Sequence, residues 1–156
     1  MIDGMKLTDL KIIEDERGNI RRMLRADDPH FQAFGEIYFS EIRKGVVKAW
    51  HMHKKMTLNY ACVVGEVEIA LVDFRAMGPL RYEVQWYSLR SSGRQYRLLT
   101  IPPGVWNGFR IPVGSQFESA IVANCATLPH SADEIVRVHP RDFLVHFDWG
   151  PYETAG

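Results

Sequence analysis

Two histidines two residues apart, His51 and His53, stand near the end of the apolar run that opens GVVKAWHMHKKMTLNYACVVG at Gly45. Residues two apart in a strand point to the same face, so a regular strand aims both imidazoles to one side. A paired imidazole is an acid/base site, a metal site, or both. Lys48, Lys54 and Lys55 flank the pair. Cations repel a metal ion and suit an anionic ligand, which turns the balance toward proton transfer on an anionic substrate. Two hydrogen-bonded structural histidines are the plain alternative. Trp50, Trp106 and Tyr38 could pack against a ligand, or simply fill an interior.

The elements that must hold these side chains read as strands throughout. Residues 5–13 suggest an edge strand, and Asp15-Glu16-Arg17-Gly18 a turn. Asn19 to Arg25 reads as a strand stopped by Asp27-Asp28-Pro29. A further strand centres on Glu36 to Ser40, and the central pair follows. Glu66 to Phe74 alternates as a half-buried strand, with Val67, Ile69 and Leu71 on one face. Met77-Gly78-Pro79 reads as a loop. Tyr82–Leu89, Tyr96–Ile101, Val105–Ile111 and Gln116–Asn124 continue the series, with turns recurring at the spacing of a sandwich or barrel. Only the tail suggests a helix, a short turn from Ser131 to Arg137 capped near its start. The expectation is an all-β jelly roll or related double-sheet barrel with a short helical C-terminal segment. His51 and His53 would face its interior.

Composition narrows the function. The 156 residues suit one domain over 1–156. Lys+Arg and Asp+Glu are both 19, so no broad basic field exists to hold nucleic acid or an anionic membrane. No apolar run suits a signal peptide or a membrane span. Cys62 and Cys125 lie in apolar runs, which suits buried free thiols of a cytoplasmic protein.

The spacing of Gly45, His51 and His53 resembles the first cupin motif, and Pro102-Pro103-Gly104-Val105-Trp106-Asn107 resembles the second. The metal-binding version of those motifs has a glutamate where this chain has Thr57 or Leu58, and a last histidine where it has Asn107. Two histidines alone make a poor site for a transition metal. Further segments, in order, resemble the dTDP-4-dehydrorhamnose 3,5-epimerases. They are Asp15-Glu16-Arg17-Gly18, Gly45-Val46-Val47-Lys48-Ala49-Trp50-His51, Gly65-Glu66-Val67, Val72-Asp73-Phe74-Arg75, Ile101-Pro102-Pro103-Gly104 and Gly108-Phe109. The resemblance implies a jelly-roll cupin of the RmlC-like kind. It implies a homodimer acting without metal or other cofactor on a nucleotide-diphosphate 4-keto-6-deoxy sugar.

Carried over by position, His51 matches the base. Lys48 stands for an arginine that contacts substrate, and Arg17 for one that binds the nucleotide diphosphate. The family's tyrosine falls near Ser119 or Ala120, its active-site lysine near Leu58 or Asn59, and its late aspartate has no counterpart. A shorter stretch, Lys48-Ala49-Trp50-His51-Met52-His53-Lys54 with Pro102-Pro103-Gly104-Val105-Trp106, is similar to the sugar 3,4-ketoisomerases.

Both resemblances imply one chemistry. A base removes a proton beside a ketone, and the resulting enolate is reprotonated elsewhere. His51, His53 and Lys48 form the expected catalytic set; Arg17, Tyr38, Trp50, Asn59, Trp106 and Asn107 form the expected substrate-binding set. His53, Tyr38, Tyr60 and Asp73 are open as partners of His51, and Lys48 or Asn107 as donor to the enolate oxygen. A non-catalytic sugar-binding cupin and a metal-dependent cupin remain the alternative classes.

Overall fold

Apolar runs and two-residue alternation make strands of about half of this chain. The computed structural model describes residues 1–76 and 82–155, so the expected Met77-Gly78-Pro79 loop lies outside the described residues. Two sheets face each other. The first runs β1 (Lys6–Asp9), β9 (Arg97–Ile101), β6 (Leu58–Val64), β11 (Ser119–Ala126), β4 (Glu36–Arg43). The second runs β12 (Ile135–Arg137), β5 (Val46–His53), β10 (Trp106–Arg110), β7 (Glu66–Asp73), β8 (Glu83–Arg90). β13 (Glu153–Ala155) joins the second sheet, parallel to the start of β5. A separate hairpin pairs β2 (Ile12–Asp15) with β3 (Gly18–Arg21).

Side chains two apart on the facing strands fill the space between the sheets. Leu58, Tyr60 and Cys62 from β6 meet Val67, Ile69 and Leu71 from β7 in the main core. β7 is not the half-buried strand its first residues suggest. Its other face is buried too, because Ala70 and Val72 lie under Trp50, Phe143, Val145 and Trp149. The chain after β12 folds back over the outer face of the second sheet and supplies that aromatic layer. On the outer face of the first sheet, Leu10, Ile12, Met23 and Leu24 cover Ala61, Tyr96 and Leu98. This covering breaks the expected edge strand over 5–13 into β1 and β2, and ends the expected strand over 19–25 at Arg21. Cys62 and Cys125 are buried and free. Burial pushes the Cys62 thiol up to about 12.

The tail departs from expectation. No α-helix forms between Ser131 and Arg137. Ile135, Val136 and Arg137 instead pair antiparallel with His53, Met52 and His51. The reason is Glu134, whose carboxylate binds His53 and the β5–β6 turn instead of serving a helix start. The helical pieces among the described residues are two 3-10 turns, Gly93–Gln95 and Pro140–Asp142.

One glycine sets the spacing near the histidines. β10 and β5 slip register between Asn107 and Phe109. A Cβ on Gly108 there would stand 2.4 Å from the Cβ of Ala49, so only glycine lets the strands close.

Candidate active site

A cavity of about 310 Å³ opens between the sheets at the end where β5 carries its histidines. One wall is the second sheet, with Lys48 and His51 on β5 and Ile135 and Arg137 on β12. The other is the first sheet, with Tyr38 and Ser40 on β4 and Val122 and Asn124 on β11. Tyr60 of β6 and Phe109 of β10 complete the lining.

Counting donors and acceptors assigns the protons. Asn107 is wholly buried; its amide Nδ2 donates to the His51 carbonyl at 3.2 Å, which leaves its Oδ1 as an acceptor. The Tyr60 hydroxyl donates to that oxygen at 3.4 Å. Tyr60 Oη also lies 3.2 Å from His51 Nε2 and, its proton committed, accepts from Nε2–H. The other ring nitrogen, Nδ1, then holds the lone pair. Across the cavity, Asn124 accepts the Asn59 N–H at 3.0 Å and donates through Nδ2 to Tyr38 Oη at 2.9 Å. Tyr38 is therefore an acceptor there, and its hydroxyl also interacts with that of Tyr60.

The electrostatics agree with these states. Burial lowers the His51 imidazole to about 3, and His53, Arg137 and Lys48 push the same way, so the ring is neutral at neutral pH. Burial raises the Tyr60 hydroxyl well above its usual range, with Tyr38 adding to the effect. Burial also raises Tyr38, against the lowering from Asn124. Both phenols are proton donors. Burial lowers the Lys48 ammonium.

His53 shares a face with His51 but leaves the cavity. Its Nδ1 lies 2.7 Å from Glu134 Oε2 and the residue is 5% exposed. Glu134 Oε1 accepts from the backbone N–H of Lys55 at 2.5 Å and Met56 at 2.7 Å. Burial pushes the Glu134 carboxyl up, but those N–H groups and His53 outweigh it and hold it below the usual range. The two rings stand edge to face, centroids 6.1 Å apart. Among the described residues no three His, Cys, Asp or Glu side chains converge as a ligand set.

The other expected residues divide. Lys48 lines the cavity, its Nζ bound to Ser40 Oγ at 3.0 Å and to the Glu41 carbonyl. Tyr38 lines it as well. Trp50 reaches the wall, but its ring is turned outward and stacks on Phe143 at 4.5 Å. Trp106 faces the same aromatic layer, 5.3 Å from Phe143. Asn59 is buried between the Cys125 carbonyl and Thr100. Arg17 sits on the β2–β3 hairpin, exposed and paired with Asp15 at 2.7 Å. Asp73 is taken by Arg75. Of the four partners open for His51, the structure brings Tyr60 into hydrogen-bond contact. Asn124, Arg137 and Glu134 escaped the sequence reading. A lone asparagine inside IVANCA marked the first. Ile135 and Arg137, two apart, carried a strand signal that the helix assignment hid.

Facing antiparallel sheets around a polar cavity at one end define a cupin-type barrel, with a tyrosine-held histidine in its wall. Residues 1–155 match the family described as dTDP-4-dehydrorhamnose 3,5-epimerase, and the chain belongs to that family of sugar-nucleotide epimerases and isomerases. It is 40% identical to a dTDP sugar isomerase from Desulfovibrio desulfuricans G20, with a TM-score of 0.84 over 94% of this chain and 91% of that one. It is 28% identical to the spore coat polysaccharide biosynthesis protein SpsL of Bacillus subtilis, over 96% of this chain and 97% of that protein. The dTDP-4-dehydrorhamnose 3,5-epimerase from Sulfolobus tokodaii shares the fold at 21% identity, with a TM-score of 0.79 over 98% of this chain and 86% of that one.

Proposed function

We propose that this protein epimerises a dTDP-linked 4-keto-6-deoxyhexose, with His51 as the base. His51 Nδ1 takes the proton from a carbon beside the ketone. The C–H electron pair becomes a C=C bond and the carbonyl π pair moves onto oxygen. Tyr38, from the opposing sheet, then gives its proton to the other face of that carbon, and the carbonyl reforms. Tyr60 and Asn107 act through His51 by fixing its tautomer. Lys48 supplies positive charge for the anionic substrate. General acid–base catalysis of this kind is worth about 10²–10⁴-fold.

The observation that carries this reading is the hydrogen-bond chain from His51 Nε2 through Tyr60 to Asn107. It leaves the neutral His51 with its Nδ1 lone pair on one wall and the protonated Tyr38 phenol on the other. The same reading takes residues 1–156 as one domain. It takes the protein as a cytoplasmic homodimer, supported by the free buried thiols and by exposed Ile37 and Phe39 on edge strand β4.

The test is exchange in D₂O. Incubated with dTDP-4-keto-6-deoxyglucose, the protein should place deuterium at carbon 3, carbon 5 or both, with inversion seen by NMR. A 3-ketosugar product would make it a ketoisomerase instead. Tight binding without exchange would make it a sugar-binding protein.

A further inference from the structure

Removing a proton beside a ketone leaves negative charge on the former carbonyl oxygen, and that oxygen needs a donor. Asn107 is unavailable, since its amide is wholly buried and both ends are bonded to His51 and Tyr60. Lys48 is tethered to β4 through Ser40 and the Glu41 carbonyl. Arg137 is different. It lies directly opposite His51 in the β12–β5 register and lines the same cavity. Among the described residues no hydrogen bond or ion pair engages its exposed guanidinium; the same holds for Arg22, Arg43, Arg94 and Arg141, but of these five Arg137 alone lines the cavity. A guanidinium brings five donors in a rigid fork and stays charged throughout. A cation kept beside the base and given no protein partner fits an oxyanion that exists only during turnover.

We infer that Arg137 donates hydrogen bonds to the enolate oxygen as His51 removes the proton, a role that rests on the epimerase reading above. Arg137 keeps its own protons. The proton goes to His51, the former C–H pair forms C=C, and the displaced π pair resides on the oxygen that Arg137 holds.

The experiment compares Arg137→Met and Arg137→Lys with the wild-type protein on dTDP-4-keto-6-deoxyglucose, and separately measures dTDP binding by calorimetry. Methionine keeps the aliphatic stem, and circular dichroism checks that the strands remain. The expected result is a fall in kcat and in deuterium uptake of about 10²–10³ for Arg137→Met, with dTDP affinity unchanged. Arg137→Lys should recover part of the rate, and added guanidinium should partly rescue Arg137→Met. Weakened dTDP binding with kcat intact would overturn the role and assign the guanidinium to the diphosphate. Unchanged kcat and unchanged binding would overturn it outright while the epimerase reading stands. If the wild-type protein takes up no deuterium at all, that reading falls and the oxyanion role falls with it.

Discussion

His51 and His53 sit two residues apart on one strand and face the same way, yet they inhabit different worlds. His51 lines a cavity, and among the described residues its ring hydrogen-bonds a neutral hydroxyl. His53 lies in the seam between β5 and β12, locked to a carboxylate that also binds two backbone N–H groups. The neutral partner leaves His51 with a usable lone pair. The charged partner spends His53 on holding the strand that brings Arg137 to the cavity. On the proposed epimerase reading, identical side chains in identical parity divide into chemistry and scaffold, and the partner decides which is which.

The sharpest way to break that contrast is to remove each partner set. His51→Ala should lower kcat by about 10⁴, the upper end for a positioned acid/base group, with an unchanged melting temperature. Near-full activity in that variant would end the claim that His51 is the base. Glu134→Ala should do the reverse and strike the fold. Removing the carboxylate strands His53 and the Lys55 and Met56 N–H groups, and each buried donor left unsatisfied costs about 1–3 kcal/mol, together a fall in melting temperature on the order of 10 °C for a chain this long. Its kcat, measured well below the new transition, should fall far less than that of His51→Ala. A Glu134→Ala protein as stable as the parent would mean that the seam is not held by this carboxylate.

The strand plan was legible because two-residue alternation survives in β4 through β11, and because glycines and prolines mark the turns between them. The place of His51 in the cavity wall was legible from its motif. What alternation cannot report is who covers the outer face. Trp50 and Trp106 carry the composition of a sugar-stacking wall, but the chain after residue 138 folds over the second sheet and claims both rings for its aromatic layer. Glu134 looked like a helix-start residue, since its true partners, His53 and the β5–β6 turn, lie about eighty positions upstream. Tyr38 was named from the sequence as a site residue and an open partner of His51, but its place across the cavity was not legible. Tyr38 pairs with Asn124 across the β4–β11 ladder, so its phenol comes from a strand beside the one where the family motif places it.

Tyr38→Phe sharpens the contrast between the walls. It should slow formation of the inverted product by about 10² while deuterium still washes into the starting sugar, because His51 can return a deuteron to the face it deprotonated. If exchange and inversion fell together, Tyr38 would be serving proton removal rather than delivery. Tyr60→Phe removes the acceptor for Nε2–H, and should lower kcat by about tenfold, less than the ~10²–10⁴ of a direct acid or base, without abolishing exchange.

A graded effect is read from pH. Burial holds His51 near 3, below the usual 6.5 of histidine, so between those values the unfolded chain binds a proton that the folded protein does not. Stability is therefore undiminished above about pH 6.5 and declines as pH falls through that window, by up to about 1.4 kcal/mol per pH unit for one such group. His53 is also lowered by burial and shifts the same way, with Glu134 opposing. His51→Asn should flatten the decline without removing it, since His53 remains. Catalysis adds a second reading of the same group. The acid limb of kcat/KM, which follows the free protein, should lie far below pH 6.5, and that of kcat should lie higher, because a bound diphosphate offsets the charges of Lys48 and Arg137 that help hold the imidazole neutral. Coincident limbs near pH 6.5 would mean that the His51 ring is as solvated as a free histidine, and the division between the two imidazoles would lose its electrostatic basis.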